Sequence, residues 1–351
     1  MNSSNDVKRI NRSAILKSIY KSGAISKSRL AAELGMTVMT VNNLVGELCE
    51  QGICAECGYA SSGGRRAGLY RINPEYGYII GLSIKRTELV LGIYDLALAL
   101  VMEKRCTCDI EDPDVTLPKI CEMLYDGISS QSHKCILGIG IAVPGRVDIE
   151  GTVIDLPDFP NWRGVRLGKL LSERLSLPIF VDNDTNALLL SAKWHGIYCD
   201  GETVAYINAD GGLGAAFMNR DELFYGSNNR AMELGHITLS PDGPLCRCGR
   251  RGCLEAYLAA CVNDADNDSC ADLERETDYI FTAIRNVALL FDPEMIILQN
   301  ERISLHTELY EKLKEKLGED GYTSNITLHI SSDKKIIGAA AACIVVQNVF
   351  C

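Results

Sequence analysis

Residues 233–255 read ELGHITLSPDGPLCRCGRRGCLE, a stretch that places one imidazole ahead of three closely spaced thiols. Zn²⁺ prefers nitrogen and sulfur ligands in a tetrahedral arrangement, and Cys3His is one of its structural ligand sets. Proline and glycine around the thiols allow the backbone to turn tightly enough to bring them together. The spacing therefore predicts a structural Zn²⁺ site formed by His236, Cys246, Cys248 and Cys253. Reduced cysteines in a loop are the alternative.

Two carboxylates, Glu233 and Glu255, bracket this segment. The four predicted metal ligands already complete a tetrahedral set, so neither carboxylate is needed for the metal. Carboxylate oxygens accept hydrogen bonds from several directions. We therefore expect these two side chains to bind a ligand beside the metal site.

Composition is that of a globular protein with two or three domains. The chain has 351 residues, of which 47% are hydrophobic and 23% are charged. It contains no run of eighteen apolar residues and no apolar signal core at its N-terminus, which predicts a cytoplasmic protein without a membrane partner. Its fifteen cysteines show no paired framework, which indicates free thiols and metal ligands.

Charge is distributed unevenly along the chain. Residues 1–74 contain ten Lys/Arg and five Asp/Glu, a net charge of +5, whereas the whole chain carries −11. A basic N-terminal part joined to an acidic body indicates that only the N-terminal part meets a polyanion.

The N-terminal part has the pattern of a winged helix-turn-helix. Apolar periodicity predicts helices near Asn11–Lys21 and Lys27–Leu34, and Ser26 is a suitable N-cap for the second. A third helix is predicted after Thr37, with apolar residues on one face and polar residues on the other. Two strand-like runs follow, joined by the segment Ser61–Arg66, which forms the predicted wing.

The polar face and the wing are the predicted DNA-binding surface. Asn pairs with adenine in the major groove, and hydroxyl groups near a helix N-terminus suit phosphates. Arginines on a glycine-rich tip suit the sugar-phosphate backbone. A small protein-interaction module with a solvated polar helix is the alternative. The predicted DNA-binding residues are Thr37, Thr40, Asn42, Asn43, Arg65 and Arg66.

Beyond the linker at 73–75, strands alternate with helices. The runs YGYIIGLSI (76–84) and ELVLGIYD (88–95) predict paired strands, and CILGIGIAV (135–143) predicts a buried strand. This alternation predicts an α/β domain that extends over residues 75–351.

Four segments of the body resemble the ROK (repressor, open reading frame, kinase) family. They are GIGIAVPGRVD (138–148), LPDFPNW (156–162), VDNDTNALLL (181–190) and the cysteine-rich segment 233–255. The resemblance covers residues 75–351, and residues 1–74 are similar to the winged head of the family's repressor branch. It implies a two-lobed actin-like/hexokinase-like (ribonuclease H-like) fold. The first lobe would span about 75–192 plus the C-terminal helix, and the second about 193–335.

The resemblance also implies a sugar site between the lobes. Hydroxyl groups of a sugar require paired donors and acceptors, which carboxylates, amides and imidazole supply. Asp184 matches the residue that in the family's kinases accepts the proton of the attacking hydroxyl. Asp158 stands where many members have Asn. The implied sugar-binding residues are Gly145, Arg146, Asn183, Asp184, Glu233, His236 and Glu255.

The segments that would bind a nucleotide differ from those of the family's kinases. In place of an acidic D-x-G-G-T loop the chain reads Ser83-Ile84-Lys85-Arg86-Thr87. The second phosphate loop begins with Asp210, whose carboxylate would repel a polyphosphate. After the strand at 295–298, Gln299-Asn300-Glu301 replaces a glycine cluster. We therefore expect no catalytic residue and no use of ATP, with Asp184 as a vestigial base.

Taken together, the sequence predicts a sugar-responsive transcriptional regulator of the repressor type. The winged head would bind double-stranded operator DNA as a homodimer or homotetramer, and a sugar or sugar phosphate would bind in the cleft. An ATP-dependent sugar kinase that carries a DNA-binding head is the alternative. A protein that docks a component of sugar transport is the third possibility.

Overall fold

The computed structural model describes residues 4–62, 65–131, 135–198, 201–263 and 270–350. Within these residues the chain forms a small N-terminal head followed by two five-stranded sheets with helices packed against them. The predicted α/β class is therefore confirmed. No helix in these ranges is both long enough and apolar enough to cross a membrane.

The head has the predicted three helices and hairpin. Its sheet is antiparallel, with strand order β1-β3-β2. The hydroxyl groups of Ser26 and Thr37 cap the second and third helices by accepting backbone hydrogen bonds from Arg29 and Thr40. The elements are α1 (Ser4–Ser22), β1 (Ile25–Ser26), α2 (Lys27–Glu33), α3 (Val38–Glu50), β2 (Cys54–Ser62) and β3 (Arg65–Ile72).

Helix α1 begins at Ser4, well before the predicted start near Asn11. Val7 and Ile10 lie in these added turns with 47% and 51% of their surface exposed, so they do not extend the buried face. Lys8 forms an ion pair of 2.8 Å with Glu47 of α3 instead. Apolar periodicity locates only the part of a helix that faces the core, which explains the late predicted start.

Lobe 1 is built on a mixed sheet with strand order β10-β7-β4-β5-β6, in which β10, β7 and β4 run parallel. A short ribbon of β8 and β9 lies beside it. Its elements are β4 (Tyr78–Ile84), β5 (Glu88–Asp95), β6 (Leu100–Thr107), α4 (Pro113–Ser130), β7 (Ile136–Val143), β8 (Arg146–Val147), β9 (Val153–Asp155), α5 (Leu167–Leu175) and β10 (Ile179–Asn183).

Lobe 2 is built on the second mixed sheet, whose strand order is β13-β12-β11-β14-β15. Helix α6 (Asp184–Trp194) connects the two lobes in the chain. The elements of lobe 2 are β11 (Val204–Asn208), β12 (Gly214–Asn219), β13 (Glu222–Leu223), α7 (Leu254–Asn263), α8 (Cys270–Phe291), β14 (Met295–Gln299), α9 (Glu301–Leu305), α10 (Thr307–Glu319) and β15 (Thr327–Ile330).

The last helix, α11 (Lys334–Phe350), leaves lobe 2 and packs against α6 and the first sheet. Glycines on that sheet allow the close approach. A Cβ on Gly140 would lie 1.9 Å from the carbonyl oxygen of Ala341, and one on Gly81 would lie 2.7 Å from the backbone nitrogen of Ala342. The sheet and the helix therefore meet backbone to backbone, in a contact that leaves no room for a side chain.

The head is docked onto both lobes through α1 and the C-terminal end of α6. The rings of Tyr20 and Trp194 meet edge to face, with centroids 5.2 Å apart. The carboxylate of Asp221, in the turn between β12 and β13, lies 3.4 Å from Lys17 of α1 and 3.3 Å from Lys193 of α6. Core residues of the head and of α6 and α11 belong to one continuous hydrophobic cluster. Helix α6 thus contacts the head at one end.

Candidate ligand site and metal cluster

His236, Cys246, Cys248 and Cys253 converge as the sequence predicts. Their ligand atoms all lie within 4.8 Å of one another. The distance from Cys246 Sγ to His236 Nδ1 is 3.7 Å, and that from Cys248 Sγ to Cys253 Sγ is also 3.7 Å. Ligands of a tetrahedral ion with metal–sulfur bonds of about 2.3 Å are about 3.8 Å apart. The four side chains therefore have the spacing required to hold a metal ion.

Two glycines give the cysteine loop its shape. Gly249 and Gly252 have φ values of +84° and +74°, a region that L side chains rarely adopt. A Cβ on Gly252 would lie 1.6 Å from the carbonyl oxygen of Ser240. The backbone nitrogen of Cys246 donates to the carbonyl of Arg250 over 2.7 Å, which closes the turn. The convergence of the thiols is thus built into the backbone.

His236 is the member of the metal cluster (the side chains of His236, Cys246, Cys248 and Cys253) that lies on the side of the cleft between the lobes. Its Nδ1 faces Cys246, and its Nε2 is 3.9 Å from a carboxylate oxygen of Glu233. Burial raises the pKa of Glu233, and the neighbouring His236 and Arg146 act in the opposite direction. Arg146 in turn lies 3.8 Å from Glu233 and 2.9 Å from Asp155, so a lobe 1 cation meets a lobe 2 carboxylate.

Glu255 lies in the first turn of α7, and only 6% of its surface is exposed. It accepts a hydrogen bond of 3.2 Å from the backbone nitrogen of Leu213. Both its oxygens are contacted by the guanidinium of Arg247. A buried carboxylate requires such partners, because an unpaired charge is costly away from water. Arg247 was missed by the sequence analysis, although its place between two predicted metal ligands, Cys246 and Cys248, fixes the position of its backbone.

Asn183 and Gly145 are held together in lobe 1. The amide nitrogen of Asn183 donates to the carbonyl of Gly145 over 3.0 Å. Its oxygen caps α6 by accepting from the backbone nitrogens of Thr185 and Asn186. A Cβ on Gly145 would lie 2.3 Å from the carbonyl oxygen of Asp155, so only glycine fits there.

Asp184 is the first residue of α6 and accepts hydrogen bonds from the backbone nitrogen and the hydroxyl of Thr185. Burial raises the pKa of Asp184 to about 6, and the Thr185 bonds only partly oppose this shift. A Cβ on Gly214 would lie 2.4 Å from the hydroxyl of Thr185. The loop that contains Leu213 and Gly214 therefore runs between Asp184 and Glu255.

A further contact between the lobes joins Asp182 to Tyr225. Asp182 is 6% exposed and accepts hydrogen bonds from the Tyr225 hydroxyl, over 2.7 Å, and from the amide of Asn186, over 2.8 Å. Sequence reasoning missed this pair because the partners are separated in the chain and nothing around Asp182 indicates Tyr225. The only available signal was an acidic residue at the end of a buried strand.

The three segments that differ from a kinase's nucleotide loops form bonds with other residues of the protein. Asp210 accepts hydrogen bonds from the side chain of Gln299, over 3.0 Å, and from the backbone nitrogen of Glu301, over 2.8 Å. Gln299 accepts a further hydrogen bond from the hydroxyl of Tyr206. In the first segment, Arg86 lies 2.9 Å from Asp158. The second and third segments are thus tied to each other.

Four of the six predicted DNA-binding residues are exposed in the structure. Asn42 and Asn43 are exposed on α3, and Thr37 is exposed at its N-cap. Thr40 is partly buried, and its hydroxyl is 2.9 Å from that of Thr37. Arg66 is exposed on β3, whereas the wing tip at 63–64 and the side chain of Arg65 lie outside the described residues. Their contact with DNA remains a prediction.

Replacing Asp184 with Asn should stabilise the protein at pH 7.5, and the advantage should shrink as the pH falls. The folded-state pKa of about 6 exceeds the ordinary aspartate value of about 3.9. Between these values only the folded state binds the proton, so stability from this group is present below about pH 4 and is lost as the pH rises through 6. The expected difference at pH 7.5 is about 2–3 kcal/mol.

Urea unfolding followed by tryptophan fluorescence between pH 4 and 8 measures this difference. Glu315→Gln, on the exposed surface of α10, is the control and should change the free energy of unfolding by less than about 0.5 kcal/mol. A difference between Asp184→Asn and wild type that is constant over this pH range would contradict the assignment.

Family models match two parts of the chain. The ROK family model matches residues 79–263, and a winged helix-turn-helix DNA-binding model matches residues 8–53. The xylose repressor of Bacillus subtilis (strain 168) is 27% identical over 344 residues, which cover 90% of this chain and 88% of that protein.

Solved structures share the fold. A ROK family transcriptional regulator, described as a homologue of the E. coli MLC protein, superposes with a TM-score of 0.78 at 23% identity and covers 98% of this chain and 97% of its own. A ROK glucokinase from Streptomyces griseus, in complex with glucose and AMPPNP, gives a TM-score of 0.62 at 20% identity, covering 77% and 98%. The two-lobed hexokinase-like fold implied by the resemblance is therefore confirmed. Because the family model spans more than half of the chain and a winged-helix model covers its head, this protein belongs to the ROK family.

Proposed function

We propose that this protein is a sugar-responsive transcriptional repressor. One observation carries the proposal: a winged helix-turn-helix is packed on α6 and α11 of a ROK body, while two of the three segments that would hold a nucleotide are hydrogen-bonded to each other. Three relatives that match 90% of the chain or more are named xylose repressors, which supports the same conclusion.

The head would bind operator DNA through α3 and the wing. Asn42 and Asn43 would reach base edges in the major groove, and Thr37 and Thr40 would contact phosphates at the N-terminus of α3. Arg65 and Arg66 would contact the sugar-phosphate backbone. A homodimer or homotetramer would place two heads on half-sites one helical turn or a multiple apart, about 34–36 Å per turn.

A sugar or sugar phosphate would bind between the lobes. Asn183, Asp184 and Arg146 would contact it from lobe 1, and Glu233 and Glu255 from lobe 2; Arg146 lies 3.8 Å from Glu233. His236 would use one ring nitrogen for the metal and offer the other to a hydroxyl group. Because these groups come from both lobes, a bound sugar would favour one relative arrangement of the lobes.

The kinase alternative is less well supported. Phosphoryl transfer depends chiefly on positioning and neutralising the phosphates. Here Asp210 brings a carboxylate to the second phosphate loop, and that carboxylate is hydrogen-bonded to Gln299 and Glu301. Without a bound phosphoryl donor, Asp184 would act as an acceptor for a sugar hydroxyl. The third possibility, docking to a transport component, is supported by no feature of the described residues.

We infer that the metal cluster holds Zn²⁺ in a structural role. Three thiols and one imidazole form a ligand set that zinc favours, and it leaves no open position for catalysis. The ion would hold His236 at a fixed distance from Glu233 and would fix the start of α7, which carries Glu255. Zinc would therefore organise the lobe 2 side of the sugar site.

Coupling between sugar and DNA would pass through α6 and Asp221. The N-terminal end of α6 carries Asp184, and its C-terminal end carries Lys193 and Trp194 against the head. Asp221 belongs to lobe 2 and contacts Lys17 of the head directly. A movement of lobe 2 relative to lobe 1 would thus displace the surface on which α1 rests.

Fluorescence anisotropy with a labelled duplex from the region upstream of the protein's own gene tests the proposal. The protein should bind this duplex, and one sugar of a panel of pentoses and hexoses should weaken binding at least tenfold. A complete switch from 99% to 1% DNA-competent protein requires about 5.5 kcal/mol of differential sugar affinity.

Arg66→Ala should reduce the slope of log affinity against log salt by about one, since one phosphate contact is lost. Lys169→Ala, on the far surface of α5, should leave the slope unchanged. Equal slopes for Arg66→Ala and wild type would contradict the wing assignment, and DNA binding that no sugar alters would contradict the proposed function.

Cys248→Ser should lose the metal. Wild-type protein purified under reducing conditions should contain about one zinc per chain by inductively coupled plasma mass spectrometry, because a Cys3His set binds zinc strongly. The variant should retain less than half of this. Cys57→Ser removes an exposed thiol of the head and should keep full zinc content. Full zinc in Cys248→Ser would refute the assigned ligand set.

Lys17→Met should weaken the sugar response of DNA binding without abolishing DNA binding. Its ammonium contacts Asp221 across the junction of head and lobe 2, and only 13% of the side chain is exposed. Loss of one such ion pair, at about 1 kcal/mol, should reduce the ratio of DNA affinities without and with sugar by about fivefold. Lys8→Ala, which breaks an ion pair inside the head, should leave this ratio unaltered. An undiminished ratio in Lys17→Met would exclude this route.

A further inference from the structure

A row of four charged side chains crosses the cleft between the lobes. Arg86 and Asp158 belong to lobe 1, and Arg247 and Glu255 belong to lobe 2. One oxygen of Asp158 lies 2.9 Å from Arg86 Nε and 3.0 Å from Arg247 Nη1. Arg247 also contacts both oxygens of Glu255, with a distance of 3.2 Å from its Nε to Oε2. Arg247 is therefore the group that joins the two lobes within this row.

The backbone around Arg247 is shaped for this pairing. A Cβ on Gly212 would lie 2.8 Å from Arg247 Nη2 and 3.0 Å from Glu255 Oε1. The bare backbone at Gly212 therefore lets the guanidinium and the carboxylate lie together against the loop. The side chain of Glu255 is 7% exposed, whereas that of Arg247 is 31% exposed, so the pair is open on the arginine side. A ligand that enters the cleft would therefore meet an Arg247 guanidinium that is already paired with Asp158 and Glu255.

Within the described residues, Arg86, Arg146 and Arg247 each contact at least one carboxylate in or beside the candidate sugar site. Arg146 lies between Asp155 and Glu233, Arg86 contacts Asp158, and Arg247 contacts Asp158 and Glu255. The four carboxylates outnumber the three arginines, before Asp184 is considered. A phosphate ester that recruited Arg247 would leave the buried Glu255 without its counter-ion, which is strongly unfavourable. A hydroxyl group imposes no such exchange, because it can donate to a free lone pair of a carboxylate that keeps its arginine.

We propose that Arg247 is a specificity-determining residue that restricts this site to uncharged, unphosphorylated sugars. Arg247 holds Glu255 and Asp158 on opposite sides of the cleft, where both can accept hydrogen bonds from sugar hydroxyl groups. Its positive charge is balanced by these two carboxylates. The remaining guanidinium N–H groups donate hydrogen bonds to a sugar oxygen. This inference rests on the proposed function, since it specifies the ligand of the same sugar site.

Isothermal titration calorimetry with the zinc-loaded full-length protein tests the inference. The probes are D-xylose, D-glucose and N-acetyl-D-glucosamine, each paired with its phosphate ester at the terminal hydroxyl. The tightest ligand should be a free sugar, and its own phosphate ester should bind at least tenfold more weakly. Arg247→Gln should weaken the free sugar at least tenfold, while zinc content by mass spectrometry stays at the wild-type level.

Arg250→Gln is the matched control, because it makes the same change at an exposed position of the same loop. Its sugar affinity and preference should equal those of the wild type. A phosphate ester that binds as tightly as its free sugar, or more tightly, would overturn this inference and leave a sugar-phosphate-responsive repressor in place. Unchanged affinity and preference in Arg247→Gln would refute the role of Arg247. If no probe of either series binds or alters DNA affinity, the proposed function fails and the inference with it.

Discussion

The cleft is organised by the need to compensate one buried carboxylate, that of Glu255. Only 6% of the surface of Glu255 is exposed, and a charge that is buried to this extent destabilises the fold unless it is paired and hydrogen-bonded. Three features of the protein meet this requirement: the position of Glu255 in the first turn of α7, where the helix dipole favours an anion, the backbone nitrogen of Leu213, and the guanidinium of Arg247. Each comes from a segment that also forms part of the candidate site. Glu255 is therefore linked to the segment of the predicted metal ligands, to the loop at Leu213 and, through Arg247, to Asp158 of lobe 1.

Helix α6 gives this arrangement a connection to the DNA-binding head. Eleven residues span roughly 16 Å at 1.5 Å per residue, from Asp184 at the cleft to Trp194 beside Tyr20 of the head. Lobe 2 reaches the head separately, through Asp221 and Lys17. The head thus rests on α6 and on the turn between β12 and β13 of lobe 2. A ligand that changes the relation of the lobes has a short physical route to the DNA-binding surface, without a long chain of intermediate contacts.

The sequence was most informative where the determining contacts are local. The four predicted ligands from His236 to Cys253 lie within one segment, and the caps Ser26 and Thr37 act within a single helical turn, so spacing was sufficient to predict them. Arg247–Asp158 and Asp182–Tyr225 join residues far apart in the chain, and no pattern around either partner indicates the other. The start of α1 at Ser4 could not be predicted from apolar periodicity either, because the added turns contact the rest of the head through a polar pair, Lys8–Glu47.

The central claim is that the cleft senses a sugar and does not phosphorylate it. A coupled assay for ADP release, with Mg²⁺, ATP and the sugar that weakens DNA binding, tests this most directly. The side chains tied together at the nucleotide positions predict a rate no greater than that of a protein-free control, and a sugar effect on DNA that is unchanged by ATP. Sustained ADP release that requires both the sugar and the carboxylate of Asp184 would contradict the account.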